Sequence, residues 1–184
     1  MSDASRKPGL APGFSIRPAV AGDVPVIFRF IQALAEYERL AHEVTATEAT
    51  LQATLFGAQP SAEVLLAEFD GAPVGFALFF SNYSTFLAKP GLYLEDLFVL
   101  PEFRGRGFGK ALLVAGARLA AERGCGRYEW AVLDWNTPSI QFYESLGARP
   151  MSDWTIMRVS GDSLEKLASE RVRADLTDSR AIGA

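Results

Sequence analysis

The sequence predicts a single α/β (α+β) domain: a sheet with helices packed on its faces. Three observations point there. Segments of strand and helix periodicity alternate along the chain, an Asp70-Gly71 turn joins two apolar runs, and the run 92–100 is too apolar to have one face in water. With 184 residues, 49% hydrophobic and 22% charged, the chain suits one ordinary core. The domain is expected over 14–172, with a flexible lead at 1–13 and a loose tail at 173–184.

Phe14-Ser15-Ile16-Arg17 alternates and opens the first strand. Asp23 is placed to cap a helix with Pro25 in its first turn, running to about Ala41 with Ile27, Phe30, Ile31, Leu34 and Tyr37 near one face. Thr45 or Thr47 caps a second helix, stopped by Gly57. Residues 61–69 and 74–80 form a hairpin about Asp70-Gly71. Residues 81–90 read mostly as connection. The strand 92–100 follows, then a glycine-rich turn, then a long helix to Glu122 with Leu112, Leu113, Gly116 and Leu119 inward. Gly116 lacks a side chain where that helix meets the sheet. A strand at 128–133, a short helix capped by Asn136 or Thr137 and stopped at Gly147, a last strand at 154–159 and a terminal helix from Ser163 to about Val172 complete the pattern.

Composition excludes several functions. The formal net charge is −4, and arginines cluster only at the glycine turn, so no nucleic-acid surface is expected. One cysteine, Cys125, and one histidine, His42, leave no internal disulfide and no Cys/His metal site. No run approaches the roughly 18 apolar residues of a membrane span, and no apolar signal segment follows the Arg6-Lys7 pair. A cytoplasmic protein without a metal is the expectation.

The strongest local signal is Arg104-Gly105-Arg106-Gly107-Phe108-Gly109-Lys110, between the most apolar strand and a long helix. Its backbone N–H groups suit phosphate oxygens at a helix start, with Arg104 and Arg106 adding positive charge. The spacing is neither a Walker loop nor a dinucleotide fingerprint. Glu95 and Asp96 interrupt the apolar strand. Strand alternation sends them to opposite faces unless a bulge turns both toward one cleft. A carboxylate there needs a partner, which a ligand or an arginine equally supplies. Glu38, beside an apolar helical stripe, is either a cleft wall or solvated. Tyr143 on the short helix is either core or site.

The glycine turn, the strand LYLEDLFV and the segment WNTPSIQFYESLGA together resemble the GNAT acetyltransferase superfamily. More narrowly, with ALAEYERLAHEV in the first helix, they resemble the spermidine/spermine, diamine and thialysine acetyltransferases. The resemblance covers nearly all of 14–170. It implies a mixed central sheet whose strands splay apart, with helices on both faces, and acetyl-CoA as cosubstrate. The family pattern Arg/Gln-x-x-Gly-x-Gly/Ala matches Arg104, Gly107 and Gly109, so the backbone of Gly105, Arg106, Gly107, Phe108, Gly109 and Lys110 is implied to hold the pyrophosphate. The pantetheine arm is implied to enter between the strands of Leu97–Val99 and of 128–133, pairing with Phe98 and Val99, with Asn136 and Ser139 nearby. Tyr143 matches the general acid and Glu95 the group that helps deprotonate the amine. Tyr37, Glu38 and Asp96 match acceptor-site positions. The implied acceptor is a small cationic amine, the implied assembly a homodimer using the last strand and terminal helix. A protein or peptide acetyltransferase and a non-catalytic acyl-CoA sensor are the competing readings. One departure bears on the acceptor: where polyamine relatives carry a channel tryptophan, this chain has approximately Leu87.

Overall fold

The computed structural model describes residues 11–170. Most of the lead at 1–13, and the whole tail at 173–184, lie outside them. The backbone forms two compact units, one up to Leu133 and one from Asp134 on, and the domain expected at 14–172 spans both.

The first unit holds a mixed five-stranded sheet in the order β1-β2-β3-β4-β5. The strands are β1 (Phe14–Pro18), β2 (Glu63–Phe69), β3 (Ala72–Ser84), β4 (Lys89–Val99) and β5 (Tyr128–Trp130). Only β4 and β5 pair in parallel, and helix α3 (Phe108–Glu122) connects them. Helices α1 (Val24–Tyr37) and α2 (Glu48–Phe56) precede the hairpin. Val24, Ile27 and Phe30 of α1 and Leu51 and Leu55 of α2 pack on Val64, Leu66, Phe76, Leu78 and Phe98. The intervening positions Leu65, Ala77 and Phe79 are buried as well. Strand alternation turns them to the opposite face, so the sheet is covered on both sides.

Several local expectations hold for the reasons that motivated them. Thr47 caps α2 by accepting from the Thr50 N–H at 3.2 Å. Asp70 and Gly71 both take positive φ, 50° and 80°, the requirement of a tight hairpin turn. Gly116 is buried, and a Cβ there would strike the Tyr128 ring, so its absence sets how closely α3 approaches β5.

Other expectations are corrected. Asp23 does not cap α1 with its side chain. Its carboxylate accepts from Arg17 at 2.7 and 2.9 Å and from the Val20 N–H at 2.8 Å, and the Arg17 guanidinium holds it below the usual carboxylate range. Helix α1 ends at Tyr37, short of Ala41, because Arg39 adopts φ 63° and the Leu40 N–H closes back on the Ala35 carbonyl. Residues 81–90 are not mainly connection: β3 and β4 continue as a hairpin as far as the pair Ser84↔Lys89. β5 stops at Trp130 instead of reaching Leu133. Among the described residues, 154–159 form no strand. Apolar alternation supplies a strand with a face but not with a neighbour, and a ladder needs the neighbour.

Gly75 was not anticipated. It pairs with Val99, and a Cβ on it would lie 3.1 Å from the Val99 Cα and closer still to the Phe98 carbonyl oxygen. Both obstacles are backbone, so Gly75→Ala should push the end of β4 outward. We expect a loss of about 2 kcal/mol of stability, read as a lower urea midpoint at unchanged m-value.

The second unit contains α4 (Thr137–Ser145) and α5 (Asp162–Ala168). The Asn136 side chain accepts from the Ser139 N–H at 3.4 Å, Pro138 lies in the first turn, and Gly147 at φ 93° follows the end of α4.

Candidate functional site

One extra residue in β4 organises the site in the first unit. Leu78 pairs with Asp96 and Phe79 pairs with Leu94, so Glu95 is left over as a β-bulge. The hydrogen bonds show its effect. The Leu92 N–H reaches across to Arg127, on the β5 side, at 3.1 Å, whereas the Leu100 N–H reaches Val74, beside β3, at 2.9 Å. Both residues would use the same edge of a regular strand. The bulge exchanges the edges, turning the backbone of Leu97 and Val99 away from β3 and that of Phe98 toward it.

Pairing with β5 ends at the same point. The last parallel pair is Leu94↔Trp130, and β4 runs on through Val99 paired to β3 alone. β5 ends where the ladder ends, so β4 has an open edge beyond it, and that edge begins at the two carboxylates.

Glu95 is exposed at the bulge and Asp96 is largely buried. Burial pushes the Asp96 carboxyl up to about 7, and the negative charges of Glu95 and Glu38 add to the shift. Burial also raises Glu38, which caps the C-terminal end of α1. The bulge thus brings together carboxylates that strict alternation would separate. Such a cluster attracts cations and keeps one proton near neutrality.

Beyond β4, residues Pro101–Phe103 form one 3-10 turn before the glycine loop. Gly105 and Gly107 take φ 75° and 85°, where side chains are strained. Gly107 begins α3 without a side-chain cap, so the positive end of that helix faces the loop. Gly109 has no such requirement: a Cβ there would make only an ordinary 3.8 Å contact with Val99. Phe108 is buried, stacked on Phe14 with centroids 4.2 Å apart, and it anchors the loop. Lys110 is exposed. The Arg104 guanidinium lies 4.7 Å from the Tyr37 ring centroid, and Arg106 lies over Phe69 and Phe103 at 5.5 and 5.2 Å. Both arginines therefore bring charge to the loop with their side chains packed on aromatic faces.

In the second unit, Tyr143 is half-buried on α4, its ring 5.2 Å from that of Phe142. Asn136 is buried and Ser139 half-buried at the start of that helix. His42 is exposed beside Glu43, and Cys125 is a half-buried free thiol beyond the end of α3.

Residues 29–148 match the family model described as Acetyltransferase (GNAT) family. The chain belongs to the GNAT acetyltransferase family. A thialysine N-epsilon-acetyltransferase of Sus scrofa is 38% identical over 166 residues, covering 84% of this chain and 97% of the relative. An L-ornithine N5-acetyltransferase of Arabidopsis thaliana is 36% identical over 197 residues, covering 83% and 86%. Among solved structures, an integron cassette protein of V. cholerae superposes with a TM-score of 0.73 at 24% identity, covering 87% of this chain and all of that one. That likeness establishes the shared fold. This acetyltransferase carries the open edge of β4 and the glycine loop on one mixed sheet. Among its described residues, no helix is long and apolar enough to cross a membrane.

Proposed function

We propose that the acetyltransferase moves an acetyl group from acetyl-CoA to the primary amine of a small cationic acceptor, by direct attack in a ternary complex. The observation that carries this reading is the carboxylate cluster of Glu95, Asp96 and Glu38 at the bulge, where β4 parts from β5 and leads toward the glycine loop. The loop from Gly105 to Lys110 binds the pyrophosphate through backbone N–H groups at the start of α3. The pantetheine arm pairs with the open edge of β4 through Leu97 and Val99, since the bulge turns the backbone of Phe98, expected to pair with it, toward β3; Asn136 and Ser139 are further candidate residues for the cofactor.

A primary amine of pKa near 10 arrives as an ammonium and cannot attack until it loses a proton. Tyr37, Glu38, Glu95 and Asp96 receive the cation. Glu95, exposed at the bulge, takes the proton through water. The amine nitrogen then bonds to the thioester carbon. The resulting oxyanion accepts from a backbone N–H near Val99, whose polar groups the bulge has turned to the open edge. Collapse breaks the C–S bond, and Tyr143 gives its proton to the departing sulfur. Cys125 takes no part.

Thialysine and ornithine, the acceptors named for the relatives, are amino acids bearing a terminal amine. A compact acceptor of this kind suits the site better than a long polyamine. Leu87 lies in the β3–β4 turn, and the six-residue step along β4 from Lys89 to Glu95 alone is about 20 Å. A diamine is the next candidate. We place the reaction in the cytoplasm and the enzyme in a homodimer. The exposed side chains of Trp154, Ile156, Met157, Leu164 and Leu167 support an apolar interface in the second unit.

The deciding experiment follows CoA thiol release with acetyl-CoA across thialysine, ornithine, matched diamines, spermidine and lysine peptides. Mass spectrometry identifies the acetylated nitrogen. Preference for lysine peptides would favour a protein acetyltransferase, and tight acetyl-CoA binding without transfer would favour a sensor. In the same assay Glu95→Gln should lower kcat/KM for the amine about 30-fold and change the shape of the pH–rate profile. A profile unaltered in height and shape rejects Glu95 as relay.

A further inference from the structure

We propose that Arg104 is a positioning residue that ties the end of α1, the acceptor-side wall, to the open edge of β4; this rests on the acetyl-transfer reading above. Three contacts define the tie. The Arg104 Nε donates to the Val99 carbonyl at 2.9 Å. Its guanidinium carbon lies 4.7 Å from the Tyr37 ring centroid and 5.5 Å from that of Phe98. Tyr37 is the last residue of α1, and Glu38, which follows it, is felt electrostatically by Asp96.

The geometry explains why these groups need an anchor. The bulge turns the Val99 backbone to the edge that β5 has left, so its carbonyl has no ladder partner there. Arg104 supplies the donor. Helix α1 ends at Tyr37, with Arg39 at positive φ just beyond it and the Tyr37 side chain partly exposed. The flat guanidinium provides a surface for the ring while its edge holds the strand. A single side chain from the glycine loop thereby sets the spacing between the strand edge and the carboxylate of Glu38. A lysine has neither the planar face nor the Nε donor, so it does not reproduce the stacked, strand-bonded geometry.

The inference separates from a simple charge role. A charge that served only the diphosphate would set acetyl-CoA affinity and would be replaced by lysine. A positioning role sets amine KM and would not be. We expect Arg104→Lys, which keeps the charge at the loop, to raise amine KM about tenfold while acetyl-CoA KM stays within about twofold, and Arg104→Gln to raise amine KM at least as much. Wild-type constants in Arg104→Lys would overturn the proposal.

A second readout is independent of turnover. Amide hydrogen exchange over residues 34–40, which include the Glu38 and Leu40 N–H groups bonded to Leu34 and Ala35 at 2.9 and 2.8 Å, should quicken about tenfold in Arg104→Gln and Arg104→Lys. Exchange over α2 should stay as in the wild type, which shows the fold to be intact. Unchanged exchange over 34–40 refutes the tie whatever the amine panel gives. A wild type that transfers to no amine refutes the acetyl-transfer reading instead, and the exchange result still decides whether Arg104 anchors the helix.

Discussion

Tyr143→Phe lowers kcat about 100-fold and leaves the dissociation constant for acetyl-CoA within about twofold; that is the expected result if Tyr143 protonates the departing thiolate. Phenylalanine preserves the ring that lies against Phe142 and removes one oxygen, so α4 should keep its packing. The first step, attack by the amine, does not need this hydroxyl. The second does, because the C–S bond breaks toward a sulfur that carries negative charge unless a proton meets it. A thiolate is a tolerable leaving group without a proton, so some collapse proceeds unaided, which is why the loss is large but not complete. Single-turnover thiol release at saturating acetyl-CoA isolates the step. A kcat within about twofold of the parent would remove Tyr143 from the chemistry and leave it a packing residue.

Asp96→Asn should change how stability depends on pH. Burial and the neighbouring Glu95 and Glu38 charges put the folded-state pKa at about 7, against an ordinary value of 3.8. The folded protein therefore holds a proton that the unfolded chain has already lost over that interval. Stability must fall as pH rises from about 4 to about 7, and the whole penalty is present above pH 7. Asparagine resembles the protonated acid in shape and cannot ionise. The variant should match the parent near pH 3 and exceed it at pH 8, by up to about 4 kcal/mol. Urea midpoints at the two pH values read this directly, and the parent should show the slope that the variant lacks. Equal midpoints at pH 8 would show that Asp96 meets no such penalty. A cationic acceptor offsets the same penalty by pairing with the ionised carboxylate. Acceptor binding near pH 7 should therefore release protons in the parent and fewer in Asp96→Asn, measurable as a buffer-dependent binding enthalpy.

Much of the fold was legible because it follows from local chemistry. Thr47 capped its helix, Asp70-Gly71 turned its hairpin, and the apolarity of residues 92–100, broken only by Glu95 and Asp96, placed that strand in the interior. The errors arose where a local pattern had to find a distant partner. Asp23 fits a helix cap, yet Arg17 and the Val20 N–H took its carboxylate. Residues 81–84 read as connection until pairing with β4 drew them into a ladder, and 154–159 alternated without acquiring one. Gly75 carried no local signal, because its need for space comes from Phe98 and Val99 across the ladder.

The site divides along the same line. Glycines at 105 and 107, the acidic pair at 95 and 96 and the strand–turn–helix order are properties of the chain; they suggested an anion loop, and the family resemblance added an acidic acceptor site beside it. Whether Glu95 and Asp96 face one cleft or two could not be read from their adjacency. A bulge is defined by how β4 registers against β3, and that register places Glu95 at the surface while Asp96 retains its proton to about neutrality. Arg104 gives the second example: its place in the loop suggested charge for a phosphate, and folding laid it on Tyr37 and the Val99 carbonyl. Turns, caps and periodicity act over a few residues and are written in the chain. Register, burial and the electrostatic company of a carboxylate depend on strands and helices that meet only after the sheet has formed.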